Sequence, residues 1–214
     1  MLRTAVATVC LALACAFAGG WLTHGFRVWT AEGARRLEVV RHPVAVPAVR
    51  AVGPGIDGAR PLPEWLGDDG GVTLVDFVYT RCRAVCAALG SGFQQLQARI
   101  GAAPAGSPDT RVRLLSISFD PGHDDVAVLQ RYAAELKADA RIWRFATVPD
   151  AGELRRLLGL FQVVVIPDGL GGYEHNAALL VLDGRGRLVR IFDYARIDDA
   201  LHFARALAAD EERG

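Results

Sequence analysis

Val72-Thr-Leu-Val-Asp-Phe-Val-Tyr79, followed at once by Thr80-Arg-Cys82-Arg-Ala-Val-Cys86, is the stretch on which the fold turns. The first eight residues are β-branched, aromatic or leucine around one aspartate, the composition of a strand buried on both faces. After Cys82 the period changes. Val85, Leu89, Phe93, Leu96 and Ile100 recur at helical spacing, so the strand runs straight into a helix and the cysteines mark the junction.

Outward from this unit the pattern repeats. A Gly/Pro/Ser loop, 101–109, leads to a second strand, Val112 to Phe119. Asp120-Pro121-Gly122 breaks that strand, and Asp124-Asp125 can cap a helix that runs to about Lys137. Ile142 to Thr147 reads as a third strand and Asp150 to Gly159 as a short helix. Ala177 to Leu182 and Leu188 to Phe192 form a hairpin around Asp183-Gly-Arg-Gly186, and a last amphipathic helix uses Ile197, Leu201, Ala204 and Ala208. Strands separated by helices imply right-handed parallel crossovers, whereas the hairpin must be antiparallel. The outline is an α/β, thioredoxin-like mixed sheet flanked by helices.

Upstream, residues 24–66 carry Pro43, Pro47, Pro54, Pro61 and Pro63, which suppress helix and central strand. We read 23–66 as a proline-rich spacer with an edge strand near Val44 to Val52, and 67–214 as the one folded domain. Thr4 to Leu22 is a 19-residue run without charge. As a helix it is about 28 Å long, close to the ~30 Å of a bilayer's hydrocarbon core. Residues 1–22 are thus a signal anchor, or a signal peptide cleaved after the small-x-small Ala16-Phe-Ala18. Arg27, Arg35 and Arg36 follow the run and one arginine precedes it, a bias that by itself favours a cytoplasmic domain.

The composition excludes several functions. The chain has 214 residues, 24 Lys+Arg against 24 Asp+Glu, and 51% hydrophobic residues. That balance leaves no basic face for nucleic acid and no acidic tail, and the apolar content supports a full core. Of four cysteines, Cys10 and Cys15 lie in the apolar run, so Cys82 and Cys86 alone remain to the domain. Two cysteines are not a disulfide framework; they form a site. Residues four apart on a helix are about 40° apart around its axis, so the sulfurs can share a face. The helix N-terminus favours thiolate over thiol. Two thiolates suit a soft cation, Cu(I) foremost, or together make a disulfide where the turn brings the sulfurs close.

A two-thiolate site is open to a third ligand. His24 and His42 lie outside the domain, His202 lies in the last helix, and His123 lies in a turn. His175 follows the glycine-rich Pro167-Asp-Gly-Leu-Gly-Gly172 loop and precedes a buried strand, a place from which an imidazole could reach the cysteines. Spacing alone leaves that open.

Phe77-Val-Tyr-Thr-Arg-Cys82-Arg-Ala-Val-Cys86 resembles the F-x-Y-T-x-C-P-x-x-C-P segment of the Sco/SenC family of copper chaperones for cytochrome c oxidase. Ser116-Ile-Ser-Phe-Asp120-Pro121 is similar to its S-x-D-P segment. Tyr173-Glu-His175-Asn-Ala-Ala-Leu-Leu-Val-Leu-Asp183-Gly-Arg-Gly186 is similar to its histidine segment. The three occur in family order over residues 71–209. The resemblance implies a membrane-tethered thioredoxin-like domain facing the periplasm or extracytoplasmic space, against the weak charge bias. It implies copper, Cu(I) before Cu(II), held by Cys82, Cys86 and His175 and passed to the binuclear centre of the oxidase's copper-bearing subunit. A copper-donor protein or a thiol–disulfide partner would complete the cycle. The sequence departs from the family at Arg83 and Ala87, where prolines are expected, and at Asn176, where serine is expected. Arg81 and Arg83 favour thiolate chemistry as much as metal capture. The alternative is therefore a thiol–disulfide oxidoreductase using the redox pair Cys82 and Cys86; the expectation is a metallochaperone before an enzyme. A tethered interaction module that has lost the site is the third reading.

Overall fold

The computed structural model describes residues 2–213 apart from 24, 26–27, 67–70 and 83–84; the side chains of 85–88 and 212 also lie outside the description. In chain order the elements are α1 (Leu2–Leu22), α2 (Ala31–Arg41), β1 (Val44–Ala45), β2 (Arg50–Ala51), β3 (Arg60–Pro61), β4 (Val72–Val78), α3 (Val85–Gly101), β5 (Val112–Ser118), α4 (Val126–Glu135), β6 (Trp143–Thr147), α5 (Ala151–Leu160), β7 (Val165–Pro167), β8 (Tyr173–His175), β9 (Ala178–Leu182), β10 (Arg187–Asp193) and α6 (Ile197–Arg213).

The main sheet has the order β1-β10-β9-β4-β5-β6. β4, β5 and β6 are parallel, joined through α3 and α4, while β9, β10 and β1 run antiparallel to their neighbours. All seven residues of β4 are buried, which requires cover on both faces and explains why its sequence does not alternate. α3 and α6 touch each other above the central strands, α4 packs on β6 and α2 on β10. Phe93, Leu96, Leu114, Leu129 and Trp143 are almost wholly enclosed, and each such side chain contributes about 1.5–3 kcal/mol. The mixed thioredoxin-like sheet is as expected from the alternation of strand and helix.

The caps are local and readable. Asp125 accepts a hydrogen bond from Val128 N–H at 2.8 Å to begin α4. Asp150 accepts from Glu153 N–H at 2.8 Å to begin α5. Gly186, at φ +68°, closes the β9–β10 hairpin, where Asp183 Oδ1 accepts from Arg185 N–H and Arg187 N–H.

The stretch expected as a spacer is built differently. Its prolines begin at Pro43, so nothing prevents residues 31–41 from forming α2, which Thr30 caps by accepting from Gly33 N–H at 3.0 Å. Arg35 is 5% exposed. Its Nε and Nη2 donate to Phe161 O at 3.1 and 2.7 Å, capping the C-terminal end of α5, and its Nη1 meets Glu32. Burial pushes the Arg35 guanidinium below its ordinary pKa, with Glu32 opposing the shift. β1 extends the main sheet, β2 and β3 form a small hairpin, and Val49, Ala51, Leu62 and Trp65 join the core. A Cβ on Gly53 would lie 2.1 Å from Phe145 O, so the chain presses directly on β6 here. Residues 31–66 thus pack as part of the folded body.

α1 has 21 residues with a mean hydropathy of 2.0 in its most apolar window and no burial. Among the described residues it is the one helix long and apolar enough to cross a membrane.

Candidate metal and thiol site

β4 and β5 end side by side, and the chain leaving each makes one wall of the site. Phe119 N–H donates to Val78 O at 3.1 Å, which carries the parallel pairing just past the strand ends. Beyond it the turn Tyr79–Cys82 is tied to the loop after β5 by one carboxylate. Asp124 is fully buried. Its Oδ2 accepts from Thr80 N–H at 2.9 Å and from the Ser118 hydroxyl at 2.6 Å, and its Oδ1 accepts from the Thr80 hydroxyl at 2.6 Å. Asp124-Asp125 therefore divide their tasks: Asp125 caps the helix and Asp124 braces the cysteine turn. On the outer side Arg81 Nη2 pairs with Asp120 Oδ2 at 2.7 Å.

Cys82 is half-buried at the end of this turn, against the core, and its N–H donates to Tyr79 O at 3.2 Å. Cys86 falls in the first turn of α3, four residues on; its side chain lies outside the described residues, as does Arg83. No group of three His, Cys, Asp or Glu side chains close enough to hold a metal occurs among the described residues, a set without the Cys86 thiol.

His175 ends β8, the second strand of a hairpin that the sequence presents as a loop. β9 pairs with β4 at Val75↔Leu180, Leu74↔Val181 and Thr73↔Leu182. β8 ends two residues before β9 and belongs to the separate β7–β8 pair. The intervening glycines are not a swinging tether. Asp168 Oδ1 accepts from Leu170 N–H at 2.7 Å and Gly172 N–H at 2.9 Å, bonds that hold its carboxyl below the usual range, while Gly169 and Gly171 take φ of +74° and +88°. The hairpin base is fixed by Asn176, where the family pattern has serine. Its Oδ1 accepts from Val164 N–H at 2.7 Å and its Nδ2 donates to Gln162 O at 3.0 Å.

The His175 ring packs edge-on to Phe119, centroids 5.1 Å apart. Both ring nitrogens are buried and have no hydrogen-bond partner among the described residues. Burial lowers its pKa from the ordinary histidine value, which favours the neutral ring and its free nitrogen lone pair. Tyr79, Phe119 and Tyr173 complete the cluster, with centroids 5.3 to 5.7 Å apart. The remaining described histidines are elsewhere. His42 is exposed beside Glu38, His123 is exposed in the Asp120 turn and His202 is exposed on α6; His24 lies outside the described residues.

Two side chains have surroundings that a motif reading does not supply. Asp76 is 1% exposed in the middle of β4, and neither oxygen has a hydrogen-bond partner among the described residues. Desolvation raises its pKa to about 7, with the Ser116 hydroxyl on the neighbouring strand opposing the shift. A carboxylate inside an otherwise apolar run was the available signal. The other is Tyr79, whose partner lies 94 residues away.

A family model described as SCO1/SenC matches residues 68–209. The SCO1 protein homolog of Bacillus subtilis (strain 168) is 26% identical over 132 residues, 61% of this chain and 65% of that relative, short of two thirds of its length. Among solved structures, BsSco, a member of the Sco family of cytochrome c oxidase assembly proteins studied for a disulfide switch, superposes with a TM-score of 0.64. Its identity is 20%, and 78% of this chain and 95% of that one are covered. Bradyrhizobium japonicum ScoI, solved with copper bound, gives a TM-score of 0.61 at 21% identity, covering 77% and 99%. At such identities the structural likeness carries the fold, and the family model carries the kinship. A buried strand ending in a cysteine turn, a second cysteine on the following helix and a half-buried histidine on the adjoining hairpin occur here in a chain that belongs to the SCO1/SenC family.

Proposed function

We propose that this protein is a copper-binding assembly factor that carries copper, as cargo, to the binuclear copper centre of cytochrome c oxidase. Cys82 and Cys86 act as thiolate ligands and His175 as the imidazole donor. The observation that carries the reading is His175: both ring nitrogens are buried and have no partner among the described residues, which is costly unless one nitrogen serves a ligand. Two thiolates and one imidazole suit Cu(I), and three ligands leave a position through which an incoming thiolate or imidazole of the recipient can enter. Transfer is then stepwise ligand exchange: each bond to Cys82, Cys86 or His175 is replaced by one from the recipient, and copper keeps its charge. Relatives described as oxidase assembly proteins or solved with copper support this assignment. In this reading residues 1–22 anchor or export the chain, and the domain faces the extracytoplasmic side.

The test is Cu(I) titration of the reduced full-length protein in detergent against a competing chelator. One equivalent should bind. Cys82→Ser or Cys86→Ser should abolish tight binding, and His175→Ala should weaken it at least about tenfold, since even outer-shell changes cost metal sites about 10–100-fold. No stoichiometric uptake by the reduced protein would sink the proposal.

The location of Cys86 in the first turn of α3 also favours a second reading, reduction of target disulfides. The Cys82 thiolate would attack a target disulfide and release one target thiolate. Cys86 would then attack Cys82 Sγ, releasing the second target thiolate and leaving the two-electron oxidised Cys82–Cys86 pair. Cys86→Ser should trap the mixed disulfide; a variant that traps none while binding copper normally argues for the chaperone alone.

A further inference from the structure

Tyr79 stands three residues before Cys82, yet its hydroxyl is engaged with the other half of the site. It donates to Tyr173 O and accepts from Tyr173 N–H, both at 3.2 Å. The strand geometry shows what this replaces. Asp168 N–H donates to Gly172 O and Asn176 N–H donates to Val164 O, so Gly172 and Asn176 direct main-chain groups toward the β7 side of the hairpin. Alternation turns those of Tyr173 and His175 to the opposite side. There the Tyr79 hydroxyl meets both main-chain groups of Tyr173 and takes the place of a neighbouring strand. Its ring also packs at 5.3 Å on both Phe119 and Tyr173, and Phe119 is the ring on which His175 rests. Tyr173 in turn places its own hydroxyl 3.5 Å from Asp120 Oδ1, the carboxylate that holds Arg81. His175 is therefore held at its C-terminal side by Asn176 against the chain after α5, and two residues before it by Tyr79 against the cysteine turn.

The geometry points to Tyr79 as a positioning residue: its hydroxyl latches the His175 strand to the Cys82 turn and sets the histidine at a fixed place relative to the thiolates. This rests on the reading of His175 as a copper donor, and the latch itself is a property of the metal-free protein.

Tyr79→Phe keeps the ring and removes the hydroxyl. In the full-length protein in detergent it should weaken Cu(I) binding by about tenfold, the scale of losing one or two partly buried hydrogen bonds. With Cu(II), nitrogen hyperfine coupling should weaken while thiolate charge-transfer absorption persists. In a His175→Ala background the same substitution should change affinity little, because the latch acts only through that imidazole. In the metal-free protein, amide exchange at Tyr173 should quicken. Equal loss of affinity with and without His175, or unchanged exchange at Tyr173, would overturn the proposal. A wild-type protein that binds no copper overturns the proposed function instead, and the exchange measurement still decides the latch.

Discussion

Two regions of the molecule treat buried polarity in opposite ways. Around the cysteine turn, Asp124 is fully buried and both its oxygens are taken, by Thr80 twice and by Ser118. Along β4 and β8, the Asp76 carboxylate and the ring nitrogens of the half-buried His175 are also enclosed, yet none of these atoms has a hydrogen-bond partner among the described residues. A satisfied buried carboxylate rigidifies its surroundings, whereas an unsatisfied polar group costs about 1–3 kcal/mol and needs a reason to persist. The turn that presents Cys82 is scaffold. The ring nitrogens of His175 and the carboxylate of Asp76 have no such bonds among the described residues.

The difference is broken most severely at Asp124. Asp124→Ala leaves a main-chain N–H and two hydroxyls without their acceptor, and should destabilise the protein by about 3–5 kcal/mol in urea denaturation. Asp124→Asn, which retains one acceptor oxygen, should lose less. A change below about 1 kcal/mol in Asp124→Ala would mean that the turn does not depend on this brace.

Asp76 tests the other side through pH. Its pKa is about 7 in the folded chain against 3.8 when unperturbed, so between those values the native state holds a proton that the unfolded state has lost. Stability from this group is complete below about pH 4 and falls as pH rises through 7, by up to the order of 4 kcal/mol in total. Asp76→Asn should match the wild type near pH 4 and exceed it at pH 8. The difference in unfolding free energy, variant minus wild type, should rise between those limits and then level. A flat difference would show that Asp76 is not held protonated by its surroundings.

How far these features are legible in sequence follows from their range. The buried runs of β4, β5 and β9 and the helix start at Asp124-Asp125 are local patterns, and they read correctly, with Asp125 as the cap. Cys82 and Cys86 are conspicuous because the domain has no others, and their strand–helix junction is where the fold places them. α2 is missed because prolines counted over residues 24–66 obscure an uninterrupted stretch at 31–41. β7 and β8 have three residues each, too short for a period, so the arm carrying His175 reads as a glycine-rich loop. Asp76 was visible as one carboxylate in an apolar strand. The hydrogen bond of Tyr79 to a residue 94 positions away was not, since no local pattern encodes a tertiary partner.

The smallest effect asks which of two holds governs the His175 imidazole. Asn176→Ser restores the residue of the family pattern but shortens the side chain, so contact with Val164 N–H and Gln162 O is lost at the exposed hairpin base. Both main-chain groups can turn to water, and the cost should be about 0.5–1 kcal/mol. Amide exchange at Val164 should quicken while that at Tyr173 remains slow, because the Tyr79 hydroxyl still holds the upper strand. Copper affinity should therefore fall less than in Tyr79→Phe. If Asn176→Ser proves the more damaging of the two, the histidine is set from the base of its hairpin, and the scaffold that matters for it is the chain after α5 and not the cysteine turn.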